Sequence, residues 1–478
     1  MHQNSASLPQ AVSVRPSRSM VTVWQFVQSR DTALLFLSLA LLLGSTLDSG
    51  ALGTIVKLCW LASVVVLTLI NIGAALAAYM ASLVIYSPLH FEGWVSPLQR
   101  PDNFALAIVL AGMLAVLFNS REAIPRFNWY ILASLAFFLL HGAIFSQDHF
   151  AALFREILIP LLVCELSALI QMEERELHAF QNGIAVIGGY MGLVSILERV
   201  PAYDWILPPW IGNASLRPFD PYLEEWIGQG RSGGTILQPA WNGIMLTLIA
   251  CFLLLRMRRG ISWPVVISML LCVAGSFFTY TRAVWLGLAA ALLWFPGWCQ
   301  SQREIRMRRI VLACVAAVFL LVAGGYASER LQDSNTIFYR FNLWGAALRL
   351  AASHPLTGVG FYNFGTAMSN VEQGFGSLIE NQPDIKEEGA ASHNTLLTVL
   401  VEFGVIGFFL YTTTFFKIVQ RAINNARSAW GQAGAAWVLA LFIIYFVNAM
   451  VVSAFEGAAN VMFLGFLGVI AGARKGIV

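Results

Sequence analysis

Charge is scarce in this chain of 478 residues: Asp, Glu, Lys and Arg make up 12% of it, against 58% hydrophobic residues. An average soluble domain carries about 25% charged residues, so the composition excludes an ordinary water-soluble protein and points to a polytopic membrane protein. Cysteine is equally sparse. The six present, at 59, 164, 251, 272, 299 and 314, sit in or beside apolar runs with neither paired nor metal-like spacing. They read as small buried hydrophobes, and neither a disulfide nor a metal site is expected. There is no P-loop, zinc spacing or glycine-rich nucleotide cradle, which argues against nucleotide-driven chemistry on the inner face. The net charge of +3 is small and concentrated in short loops, a pattern of membrane topology rather than of nucleic-acid binding. The first 30 residues carry Arg15, Arg18 and Arg30 but lack an apolar core followed by a small-residue cleavage site. A cytoplasmic N-terminal tail is therefore expected rather than a removed signal peptide.

Apolar runs that approach the ~20 residues of a membrane span are plentiful. They fall near 32–48, 52–86, 103–118, 127–145, 150–170, 177–197, 237–255, 262–280, 283–298, 308–326, 393–418, 432–452 and 455–473. Basic residues in the short connections assign the sides: Arg256, Arg258 and Arg259; Arg303, Arg306, Arg308 and Arg309; Arg421 and Arg427; and Arg474 and Lys475 all belong inside. Alternation then places 198–236, the tight turn at Thr281-Arg282, the segment 327–391 and the turn near Ser453 to Gly457 together on the outer face. With both ends inside, the number of crossings is even, so the thirteen runs miscount by one. Either 52–86 crosses twice, breaking near Asn71-Ile72-Gly73, or an early run such as 150–170, with its Arg155-Glu156 pair, does not cross. The expectation is an all-α bundle of about twelve spans. Its order is a tail (1–31), a first helical block (32–197), an outer segment (198–236), a second block (237–326), a large outer loop (327–391), a last block (392–473) and an inner tail (474–478).

The chemistry-bearing residues gather on that outer face. The stretch Ser392-His393-Asn394-Thr395, running on to Gly404 and Gly407, joins the polar outer loop to an apolar run. His393 thus falls where water meets lipid. Ser392 as N-cap places His393 in the first helical turn, where the helix dipole disfavours imidazolium and leaves a neutral ring able to take a proton. A lone interfacial histidine is more often a simple cap than a base, but this one has company. Arg231 lies in Gly230-Arg231-Ser232-Gly233-Gly234, just before the 237–255 run, and Arg282 in the turn Tyr280-Thr281-Arg282. Both breach the positive-inside tendency. An outer arginine can snorkel to lipid phosphates, yet a planar fork of donors also suits a phosphate or pyrophosphate head group. Arg340, with Trp344 one turn later, and Glu456, in the last outer turn, are supporting candidates, each also readable as structural or solvated. Glu402, nine residues below His393, reads as the partner of another buried polar group, and His354, before Pro355, as structural.

His393-Asn394 followed by Gly404 and Gly407 resembles the C-terminal histidine signature of bacterial O-antigen ligases. Arg282 with Leu286 is similar to the family's arginine signature. Arg340, Trp344 and the Pro355 to Gly360 turn resemble the wider superfamily of O-antigen ligases and polymerases, over roughly residues 230 to 470. The resemblance implies a GT-C-like glycosyltransferase of the bacterial inner membrane acting in lipopolysaccharide biosynthesis, with a periplasmic active site. Its donor would be an O-antigen chain on undecaprenyl pyrophosphate and its acceptor a hydroxyl of the lipid A-core oligosaccharide, with no metal or other cofactor. In that reading His393 is the general base and Arg231 and Arg282 hold the pyrophosphate, with inversion at the sugar. An O-antigen polymerase and a protein O-oligosaccharyltransferase are related alternatives. A transporter, a different class, would place ionisable groups along a midplane pathway rather than at one surface.

Overall fold

The computed structural model describes residues 18–45, 51–86, 101–119, 127–198, 232–257, 262–294, 335–371, 392–451 and 458–473. Every regular element among the described residues is helical, as lipid demands of a chain whose backbone finds no water to bond. In order, these are α1 (Arg18–Gly44), α2 (Ala51–Ile70), α3 (Ile72–Tyr86), α4 (Pro101–Asn119), α5 (Trp129–Phe145) and α6 (Phe150–Leu153). A π-helical turn (Phe154–Leu158) leads from α6 into α7 (Ile159–Ile170), and α8 (Glu174–Leu197) follows. After a 3-10 turn (Gly234–Ile236) come α9 (Pro239–Met257), α10 (Trp263–Phe278), α11 (Arg282–Trp294), α12 (Asn335–Ser353), α13 (Phe364–Val371), α14 (Thr395–Ala449) and α15 (Ala458–Ala471). Five of these are long and apolar enough to cross a membrane by length and composition alone, and shorter apolar helices stand beside them.

The 52–86 run is two helices, not one. At Asn71 the chain reverses: its Oδ1 takes the Ala74 N–H at 3.0 Å while its Nδ2 donates to Asp31 at 2.9 Å. Arg175 clamps the same Asp31 through a bidentate pair, one bond at 2.6 Å, so a buried polar knot holds three helix ends together. Contacts then give direction. Ser45 meets Tyr86 and Ser63 meets Ser38, so α1 and α3 run parallel with α2 antiparallel between them. By contrast, the 150–170 run is one continuous helical path. Its Arg155 Nη2 donates to Glu156 at 2.9 Å, and Tyr362 caps the same carboxylate at 3.2 Å, so the pair that cast doubt on a crossing neutralises itself inside the protein. The run 308–326 lies outside the described residues.

Small residues let these helices approach closely, as in lipid-embedded packing generally. A Cβ on Gly192 would lie 2.4 Å from the Leu271 carbonyl, and one on Gly468 2.3 Å from the Cys164 carbonyl. These contacts align α8 with α10 and α15 with α7.

The segment between α11 and α14 carries structure of its own. α12 and α13 pack through Leu343, Ala347, Leu350, Phe364 and Met368 onto Val401, a core separate from the main one. The turn from Pro355 to Tyr362 joins this cap to the membrane bundle. It lies along α14, with Val359 N donating to Val401 O, Gly360 N to Glu402 O and Val405 N to Pro355 O at 2.8–3.0 Å. α14 has to break to accept it: Gly404 sits at φ 65°, ψ −172°, and Gly431 breaks the helix a second time. A side chain at Gly404 would meet the Leu356 carbonyl at 2.2 Å, so only glycine fits the joint. His141 donates to Thr357 O at 2.7 Å, and Ser146 Oγ accepts from Phe361 N at 2.6 Å. The cap is therefore mounted rigidly on α5 as well.

Candidate functional site

The helix that His393 introduces begins later than its sequence suggests. Asn394, not Ser392, is the N-cap: its backbone is extended (φ −149°, ψ 111°) and its Oδ1 accepts from Leu396 N and Leu397 N at 3.0 and 3.1 Å. Ser392 is fully buried and braces from behind, donating to Asn394 O at 2.9 Å and bonding Thr398 Oγ1. His393 thus lies outside the helix rather than in its first turn. It is exposed, with φ at 51° in the left-handed region. Left-handed backbone at a non-glycine residue stores strain and concentrates at sites of function. Among the described residues Leu237, Tyr280 and Tyr362 share it at this same end of the bundle, while Gln171 has it at the other.

Two contacts bring the arginine turn to the histidine's end. Asn394 Nδ2 donates to Met450 O at 3.2 Å, tying the start of α14 to its far end. The closing segment of α14 runs along α11, where a Cβ on Gly287 would meet Asn448 at 3.0 Å and the Ile444 carbonyl at 3.3 Å. Following α11 back from Gly287 to its first residue, Arg282, therefore leads to the level of Met450. Thr281 O accepts from Val284 N and Trp285 N at 3.1 and 3.3 Å, which places Arg282, half-buried, at the opening position of α11. A cation there works against the helix dipole. What the position does offer is a fork of donors at a helix N-terminus, an arrangement suited to an anion.

Arg231 and Glu456 lie outside the described residues. From Ser232 onward the chain is described: Ser232 N donates to Phe278 O at 2.9 Å, close to the Arg282 turn. Glu198, which the reading of the sequence passed over, fastens that segment. Its carboxylate accepts from Ser232 Oγ and from Gly234 N at 3.0 Å. A carboxylate at the C-terminal end of a helix opposes the dipole and needs donors, and that is the signal by which it was findable. Arg340 is half-buried on α12, the helix packed against the one His393 leads. Glu402 is buried and takes Tyr362 N at 3.1 Å, a structural role as its depth implied. His354 is exposed and bonds Ser353 at 3.0 Å. Among the described residues no three or more His, Cys, Asp or Glu side chains gather as metal ligands.

A search of curated proteins finds no match. A scan against protein-family models does: residues 267–412 match the model described as O-antigen ligase. That stretch takes in Arg282, Arg340 and His393 and leaves out Arg231 and Glu456. Over these residues the chain is similar to the O-antigen ligase family, whose wider ligase and polymerase superfamily consists of membrane glycosyltransferase-like enzymes.

Proposed function

We propose that the protein is an O-antigen ligase of GT-C-like architecture, working at the periplasmic face of the bacterial inner membrane. It transfers a glycan from undecaprenyl pyrophosphate to a hydroxyl of the lipid A-core oligosaccharide. The observation that carries the reading is the placement of Arg282 at the opening of α11, level with the Asn394–Met450 tie that holds exposed His393. An acid-base group and an anion-binding group thus share one end of the bundle, where a lipid-linked diphosphate and a water-exposed acceptor can both reach.

The chemistry follows from those two groups. The His393 imidazole takes the proton of the acceptor hydroxyl as its oxygen attacks the anomeric carbon of the donor sugar. The bond from that carbon to the pyrophosphate oxygen breaks on the opposite face, so configuration inverts, and undecaprenyl pyrophosphate leaves with the electron pair. Arg282, with Arg231 from the approach that Ser232 anchors, neutralises the charge that develops on the leaving oxygen. A positioned base contributes about 10²–10⁴ in rate. Because a diphosphate is already a good leaving group, positioning and charge stabilisation supply most of the remainder. Positive charge from arginine takes the place of a divalent cation, so the transfer is metal-independent.

The nearest rival is an O-antigen polymerase, which would use the same donor and a second lipid-linked glycan as acceptor. Purified protein in liposomes, given lipid-linked glycan and either lipid A-core or further lipid-linked glycan, separates the two. Product on lipid A-core supports the ligase; elongated lipid-linked glycan alone supports the polymerase; transport of the intact donor without transfer would overturn both.

A further inference from the structure

The end of the bundle opposite His393 holds a cavity of about 540 Å³ between the start of α5 and the middle segment of α14. Its wall includes Asn128, Tyr130, Lys417, Gln420, Arg421 and Asn424. Two of these are cations. Lys417 is exposed, with Nζ 5.6 Å from the centre of the Tyr130 ring and 3.4 Å from Gln420 Oε1. Arg421 donates one N–H to Glu165 at 2.7 Å, and Glu165, almost wholly buried, takes Asn128 N with its other oxygen at 2.8 Å. Its charge is thus satisfied behind the wall, and the cavity itself presents net positive charge and amide donors.

The surroundings say what such a cavity meets. Along α14 the surface changes character: Phe409 and Phe416 are 62% and 53% exposed, and one turn further Gln420 and Asn424 are exposed. On α5, Trp129, 62% exposed and stacked on Tyr130, gives way to Leu132, 47% exposed. Aromatic rings of this kind mark the boundary between hydrocarbon and head groups. The cavity therefore opens at the depth of lipid phosphates, directly below an apolar face, on the side where Arg421 and Arg427 lie.

We propose that this cavity is a binding site for an anionic glycerophospholipid of the inner leaflet. Its phosphodiester lies between Lys417 and Arg421, its head-group hydroxyls meet Gln420 and Asn424, and its acyl chains lie along Phe416 and Phe409. Basic pockets at the inner ends of transmembrane helices suit such head groups. The site is independent of the transfer chemistry at the opposite end.

Lipid retention measured by native mass spectrometry on the full chain tests it, with phosphatidylglycerol, phosphatidylcholine and inorganic phosphate as probes. The expected result is preferential retention of phosphatidylglycerol, weakened about fivefold in Lys417→Gln and further in Lys417→Gln with Asn424→Leu. Lys417 is exposed, so these variants should fold, and an unchanged far-ultraviolet spectrum checks it; Arg421 is left intact because its loss would strand Glu165. Equal retention of phosphatidylcholine, unaltered retention by the variants, or protection from heat by inorganic phosphate as great as by the lipid would each overturn the assignment.

Discussion

Replacing Asn394 by alanine should disarm His393 without touching it. Asn394 does two things: its Oδ1 caps the helix through Leu396 N and Leu397 N, and its Nδ2 reaches Met450 O at 3.2 Å. Losing an N-cap costs about 1 kcal/mol, and losing a net intramolecular hydrogen bond about another 1 kcal/mol. Both terms act on the same short segment, which carries His393 at a strained φ of 51°. If the roughly 2 kcal/mol falls wholly on the productive placement of the imidazole, transfer slows by about 30-fold. Asn394→Ser keeps an acceptor for the cap and loses only the tie to Met450, so it should slow transfer by about fivefold. The assay is glycan transfer in liposomes with saturating lipid-linked donor, alongside the thermal midpoint, which should fall by a few degrees at most and leave the protein folded at the assay temperature. Wild-type rates in Asn394→Ala would refute the reasoning, and equal losses in the alanine and serine variants would remove the cap from it.

Three further outcomes follow from the geometry. Arg282→Lys keeps the charge but loses the planar fork, so transfer should fall by at least tenfold; an undiminished rate would make Arg282 a lipid-facing side chain. Gly404→Ala adds a Cβ 2.2 Å from the Leu356 carbonyl at a φ that suits only glycine, and the thermal midpoint in detergent should drop by several degrees as the cap loosens, backbone strain alone being about 1–3 kcal/mol. Transfer should persist in excess EDTA yet weaken at high ionic strength, since part of the donor attraction is screened at a wet interface; rescue of an EDTA-inactivated protein by Mg²⁺ would assign the chemistry to carboxylates instead.

Much of this arrangement was legible because lipid leaves a chain few options. The all-helical, apolar character follows from composition and apolar length, and the positions of Arg282 and His393 at the ends of apolar runs stood out against that background. What stayed hidden depended on partners far away in sequence. Ser392, Asn394 and Thr395 are all competent caps, and only the Met450 carbonyl and the burial of Ser392 favour Asn394. The break at Gly404 exists because a turn some 45 residues earlier inserts there, so the run 393–418 read as one helix. Asn71 ends a helix by bonding Asp31, 40 residues away, so the run 52–86 is two helices. Glu198 gained its role only once Ser232 and Gly234 folded back onto it.

The central claim is that His393 is the base that takes the acceptor proton. It is tested most directly by His393→Ala, purified and shown by its thermal midpoint to be folded, in a liposome assay with lipid-linked glycan and lipid A-core. His393 is exposed and outside the helix, so the variant should insert and fold normally, bind the lipid-linked donor, and form no glycosylated lipid A-core. Transfer at the wild-type rate by that folded variant would contradict the account.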